Sequence, residues 1–347
     1  MRQELDMPKM FNFDADSYAD EFAEHGYVHI SEGLPEEFHT RLIKYVEDSF
    51  DKKHLKEFAR GDKQQAMFEF LEPEHYDELR EIVAAVCRVE PSSLTLSERH
   101  IKEYEPGADP YPLGHKDRFG SEIAVGFSIR VPEGSTLVMY PEHDVSVNPF
   151  NSTIELRSSF SPYTLPDAAL KEAPRVEIQD RPRDVQIFRG NAIWHLREHG
   201  AGTIVLYLKL NTYNCDTLGE DPHSAEIRQS TLSIVDSPPS MWAATIPVIG
   251  RRVDYVHRRY SRDWSELFGV VIHGQPHATI TEAEFEALRS MDGKRTVTEI
   301  ASQMERSGKV KDPHEAIRQL AHRGIVDLFA RPIAMGQAGR RALAQVA

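Results

Sequence analysis

Two short runs in this chain share a spacing that can bind a metal. His115 and Asp117 lie two residues apart in "GHKDRFG", and His75 and Asp77 lie two apart in "PEHYDEL". Imidazole nitrogens and carboxylate oxygens are ordinary ligands of divalent transition metals. With 16 His and 55 acidic residues among 347, chance alone gives about two or three such spacings. Setting must therefore decide. His75 sits in "EPEHYDELREIVAAVCRV", which reads as a helix opening near Pro73. Helical residues i and i+2 point about 200° apart, so that pair cannot close on one ion. His115 and Asp117 stand at the entry to a strand-rich region, and i and i+2 share one face of a strand. "DVQIFRGNAIWHLREHG" then offers a strand, a glycine turn and His195, with His199 four residues on. A His/Asp pair plus one distant His makes the facial triad that leaves open positions on Fe(II) for oxygen chemistry.

The elements that must position these residues are legible in outline. "DADSYADEFAEHGYVHISEGL" reads as a helix stopping at Gly26, then a strand at Tyr27–Ile30. "LPEEFHTRLIKYVEDSF" places Phe38, Leu42, Tyr45, Val46 and Phe50 on one helical face. From about residue 98 to 211 the pattern turns to strands. "SEIAVGFSIRVPEGSTLVMYPEH" is two strands joined by a Pro-Glu-Gly turn, and "RDVQIFRGNAIWH" and "GTIVLYLKLN" are two more. Residues 142–182, rich in Ser, Pro and Asn, read as long loops with some strand. An all-β core behind helices implies an α+β chain built on a barrel or jelly roll.

Within "TIVLYLKLN", Ile204, Leu206, Leu208 and Leu210 take one face. Thr203, Val205, Tyr207, Lys209 and Asn211 take the other, which is expected to line the cavity. A lysine among leucines needs an anionic partner, and a ligand carboxylate is one. Arg130 shares its expected face with Ala124, Gly126 and Ser128, which leave room for a ligand.

Composition narrows the function classes. The net charge of −14 and a pI near 5.6 oppose a nucleic-acid binder. Two cysteines, Cys87 and Cys215, are too few for a disulfide framework or a thiolate zinc site. No apolar run nears the roughly 20 residues of a membrane span, and the first residues show no apolar signal core. The expectation is a soluble cytoplasmic protein with no nucleic-acid or membrane partner.

The order "YEPG", "HKD" and "IWH", with the lead-in "EFAEHGYVHISEGLPEEF", resembles the Fe(II)/2-oxoglutarate-dependent oxygenases, and the lead-in resembles their phytanoyl-CoA hydroxylase-like members. The resemblance covers about residues 15–215. It implies a double-stranded β-helix, a jelly-roll or cupin-like core with supporting N-terminal helices. It implies Fe(II) held by His115, Asp117 and His195, with His199 as the rival distal ligand. 2-Oxoglutarate and O2 would fill the remaining positions, with release of succinate and CO2. The carboxylate of Asp117 favours hydroxylation, desaturation or cyclisation over halogenation. Family members place a cation about ten residues beyond the distal His for the co-substrate's distal carboxylate. Lys209 is the first candidate. Arg130 is the second, at a point similar to the lysine of asparaginyl and JmjC hydroxylases, and Tyr104 would add a hydroxyl. Arg118, Tyr207 and Asn211 are expected to meet substrate.

Residues 1–220 would form this oxygenase domain and 221–275 a connector with some strand. Residues 276–335 would form a winged-helix-like domain and 336–347 a tail. Thr281/Glu284 and Thr296/Glu299 are capping boxes, and Asp312-Pro313 opens a third helix. The apolar faces Phe285/Leu288, Ile300/Met304 and Ile317/Leu320 are followed by Gly324 and the strand "IVDLF". "MDGKRTVTEI" is similar to peptide-binding domains of the pyrroloquinoline quinone chaperone group, and the tail is similar to winged-helix tails of JmjC-type ribosomal oxygenases. The substrate expected is a small specialised metabolite or amino-acid derivative. The alternatives are a peptide presented by the C-terminal domain, or a cupin-like metal sensor or scaffold without turnover. The C-terminal domain is also the expected surface of a homodimer. The basic, aromatic run "RRVDYVHRRYSRDW" reads as a solvated face or an anion-binding one.

Overall fold

The computed structural model describes residues 9–51, 55–57, 63–105, 114–143, 170–272, 275–308 and 310–333. Residues 106 and 107 of "YEPG", most of the 142–182 stretch and the 336–347 tail lie outside the described residues. The chain divides into two units: residues 1–91 with 98–210, and residues 92–97 with 211–347.

In the first unit, α1 (Ala19–His25) ends at Gly26, whose φ of 74° only glycine adopts without strain. The strand β1 (Tyr27–Ile30) follows, then α2 (Glu36–Asp51), which buries Phe38, Leu42 and Val46. After β2 (Leu55–Glu57) and β3 (Lys63–Met67), α3 (Glu74–Cys87) buries Leu79, Val83 and Val86. The remaining strands are β4 (Thr95–Tyr104), β5 (Ile123–Arg130), β6 (Thr136–Tyr140), β7 (Val176–Ile178), β8 (Val185–Phe188), β9 (Trp194–Glu198) and β10 (Ile204–Asn211).

These strands form a seven-stranded sheet, β1-β8-β5-β10-β4-β3-β2, and a three-stranded sheet, β7-β6-β9, which His115 extends by bridging to His195 in β9. From β4 onward the chain shuttles between the sheets: β4 in the large one, His115 in the small, β5 large, β6 and β7 small, β8 large, β9 small, β10 large. Such alternation of antiparallel strands is the double-stranded β-helix, or jelly roll. The strands flanking Pro-Glu-Gly do not pair with each other. The turn, with Gly134 at φ 85°, carries the chain around a corner from one sheet to the other. Ala124, Leu137, Met139, Ile178, Phe188 and Ile193 fill the space between the sheets, and this apolar contact holds them face to face.

The second unit has its own core. The stretch read as a connector contains α4 (Ser224–Val235), β11 (Ile246–Ile249), β12 (Val253–Tyr260) and β13 (Glu266–Ile272). Next come β14 (Gln275–Ile280), α5 (Glu282–Arg289), α6 (Val297–Ser307), α7 (Pro313–His322) and β15 (Val326–Phe329). Both capping boxes form, and the Asp312 carboxylate accepts from the Glu315 amide at the start of α7. The three apolar helix faces meet Trp242 and Phe268 in one cluster, and β15 pairs with β11. No helix among the described residues is long and apolar enough to cross a membrane.

Candidate metal centre

The small sheet brings together ligands that lie far apart in sequence. The His115 amide donates to the His195 carbonyl at 3.0 Å, and the His195 amide donates back at 2.9 Å. The two imidazole centroids are 4.5 Å apart. The Asp117 amide donates to the Gly190 carbonyl at 2.8 Å, which turns the carboxylate toward the same space. Gly190 has to lack a side chain: a Cβ there would meet Asp117 Oδ2 at 2.6 Å and the Ser121 carbonyl at 3.0 Å. Ligand atoms of His115, Asp117 and His195 all lie within 4.8 Å of one another, and His115 Nε2 is 4.0 Å from Asp117 Oδ1.

The donor set fits a divalent metal. His195 Nδ1 lies 3.0 Å from the Ile193 carbonyl. A carbonyl can only accept, so Nδ1 carries the proton and Nε2 presents its lone pair. Burial pushes the His195 pKa down, against the opposing pull of Asp117, and favours the neutral ring that a metal needs. Burial would raise the Asp117 pKa, but the Lys209 ammonium, with His195 and His115, outweighs it and brings the carboxyl to about 2. The acid is therefore ionised at neutral pH. Lys209 Nζ lies 2.6 Å from Asp117 Oδ1 and 3.6 Å from Glu98 Oε2. One ammonium thus steadies the proposed ligand and touches a second buried acid, while the other carboxylate oxygen keeps its own lone pairs.

A cavity of about 370 Å³, counting space open to solvent, lies against these groups. Leu137, Phe188 and Leu196 supply apolar wall, and Tyr104, Tyr207 and Lys209 line it as well. The hydroxyls of Tyr104 and Tyr207 hydrogen-bond to each other. Arg130 does not join them. A bulge between β5 and β10, with Val205 opposite Ser128 but Ile204 opposite Arg130, breaks the alternation, and Arg130 ends β5 exposed. His199 is exposed too, at φ 52° in the turn after β9, away from the cavity wall. Arg118 Nε is 2.7 Å from Glu98, and the side chain is 40 % exposed and off the cavity wall. Asn211 in the second unit uses its amide on the backbone of Cys215.

Sequence reasoning passed over three cavity or second-rank groups with readable signals. Arg197 lies two residues beyond His195 on the same strand face, and it lines the cavity. Glu98 and Lys102 share the alternating face of β4 with Tyr104. Burial, then the Lys209 ammonium, lowers the Lys102 pKa to about 8.

No family model matches the sequence, and no curated protein matches it. Among solved structures the chain is similar to the non-heme alpha ketoglutarate dependent epimerase SnoN from nogalamycin biosynthesis, at 11 % identity and TM-score 0.44, over 57 % of this chain and 81 % of that one. It is similar to the carbocyclase SnoK from the same biosynthesis, at 18 % identity and TM-score 0.41, over 57 % and 84 %. It is similar to a Pseudomonas putida prolyl-4-hydroxylase, at 14 % identity and TM-score 0.42, over 57 % and 98 %.

Proposed function

We propose that this chain is an Fe(II)/2-oxoglutarate-dependent oxygenase that hydroxylates, desaturates or cyclises at an unactivated C–H bond of a small specialised metabolite or amino-acid derivative. The observation that carries this reading is the convergence of His115, Asp117 and His195 on the wall of a jelly-roll cavity that is also lined by buried cations. Iron with 2-oxoglutarate and O2 supplies the oxidising equivalent, with succinate and CO2 as co-products.

The chain's own residues do the rest. His115, Asp117 and His195 hold the ion, with His195 kept neutral and oriented through Ile193. Lys209 holds the Asp117 carboxylate and faces any anion bound beside the ion. Leu137, Phe188 and Leu196 limit water at the reacting face, which strengthens the electrostatic contacts inside.

The test is product formation. Protein supplied with Fe(II), 2-oxoglutarate and O2 is expected to release succinate, and His195→Ala to reduce that release at least roughly 100-fold. Tight iron binding with no succinate would leave a metal-binding scaffold as the correct description.

A further inference from the structure

Trp264 stands where neither burial nor the local backbone calls for it. β12 and β13 pair as far as Tyr260 and Glu266. Beyond them the Ser261 amide donates to the Ser265 carbonyl at 2.9 Å, and the Trp264 amide donates to the Ser261 carbonyl at 3.0 Å. A short hairpin loop of this kind ends on a left-handed residue, a place suited to glycine. Here it is Trp264, at φ 63° and 81 % exposed. A bulky side chain at positive φ destabilises the turn, and an exposed indole gains nothing from burial in return. The loop is nonetheless ordered: the Asp263 carboxylate accepts from the hydroxyls of Ser261 and Ser265 and from the Ser265 amide.

The neighbours share the exposure. Tyr260, its ring 6.2 Å from that of Trp264, and Leu267 are exposed. Arg258, Arg259 and Arg262 accompany them, also exposed, and residues 251–267 hold no lysine. Tryptophan, tyrosine and arginine without lysine is the composition of a protein-binding patch. A surface for nucleic acid or anionic lipid draws on lysine as well.

Charge says what covers it. Residues 211–347 carry as many acidic as basic side chains, so the whole net charge of −14 lies in residues 1–210. Much of it lies near their start. Between residues 10 and 40 there is no lysine or arginine, while Asp14, Asp16, Glu21 and Glu24 are exposed on and beside α1. Glu21 and Glu24, three apart, share one helical face. The half-buried rings of Phe13 and Tyr18 pack on each other in the same stretch. An acidic face edged with aromatics complements arginines around an exposed indole.

We infer that the end of the β12–β13 hairpin is a self-association surface that docks on the acidic face around Glu21 and Glu24 of a second copy of this chain. Trp264 loses water at the centre of the contact, and the arginines meet carboxylates at its rim. The contact involves neither iron nor the oxygenase reaction.

Sedimentation equilibrium of the intact chain tests this. The unaltered protein is expected to dimerise at micromolar concentrations and to dissociate more readily as salt rises, because rim charges are screened. Trp264→Gly is expected to weaken dimerisation at least roughly 30-fold. It should leave the thermal midpoint of the monomer unchanged or higher, because glycine suits φ 63°. A change that only damaged the fold would lower both. Arg259→Glu with Arg262→Glu, and separately Glu21→Arg with Glu24→Arg, should each weaken dimerisation at least roughly tenfold. Mixed together, the two charge-reversed proteins should pair to within about threefold of the original affinity. The inference is overturned if the unaltered protein stays monomeric, if Trp264→Gly dimerises as before, or if the mixture does not pair.

Discussion

The same His-x-Asp spacing occurs in two regions of the molecule, and the backbone around each pair decides what it can do. In α3, His75 is 3 % exposed with its ring edge-on to Phe38 at 5.2 Å, while the Asp77 side chain is 68 % exposed. The helix has turned one side chain into the core and the other into solvent. At the small sheet, His115 and Asp117 face one cavity and meet His195 there. The lesson is that a ligand pair is a property of a backbone geometry before it is a property of a spacing.

The largest expected contrast lies in iron affinity. Asp117→Ala should weaken Fe(II) binding at least roughly 100-fold, and Asp77→Ala should leave it within about twofold, as read by competition with a chromophoric chelator. Equal effects would erase the distinction between the two pairs.

Stability should run the opposite way. His75→Ala removes a buried ring packed on Phe38 and is expected to cost about 2–3 kcal/mol in urea unfolding. His115, with a side chain 26 % exposed, should cost under about 1 kcal/mol on replacement by Ala while iron binding is lost.

Glycines extend the comparison. Gly190→Ala should weaken iron binding about tenfold, because the new Cβ displaces Asp117. Gly308, at φ 67° with no atom within 4 Å of a built Cβ, should on replacement by Ala cost about 1 kcal/mol of stability and leave iron binding unchanged.

The smallest effect concerns pH. Lys102, lowered to about 8 by burial and Lys209, is a cation below that value and loses its charge above it. Affinity for 2-oxoglutarate, measured anaerobically, should therefore fall about two- to threefold from pH 7 to pH 9, and Lys102→Met should flatten that limb.

Much of this was legible in the sequence because alternation in strands is local. The i, i+2 rule places Tyr207 with Lys209, and the Gly26 stop and both capping boxes fall where the residues put them, whereas His115 lies in an isolated bridge and Asp117 outside any strand. What was not legible depends on pairing between distant strands. Nothing local tells that His115 bridges to His195, that β5 and β6 part company at Pro-Glu-Gly, or that a bulge carries Arg130 out to solvent. Arg197 was readable on the strand face it shares with His195, but its partner Asp180 was not, because Asp180 reaches it from outside that strand.

The most direct measurement of the central claim is an anaerobic visible titration of Fe(II) and 2-oxoglutarate into three proteins: unaltered, Asp77→Ala and Asp117→Ala. The account predicts a metal-to-ligand charge-transfer band that saturates in the first two and is absent in the third. A band of equal strength in the Asp117→Ala protein, or no band in the unaltered one, would contradict it.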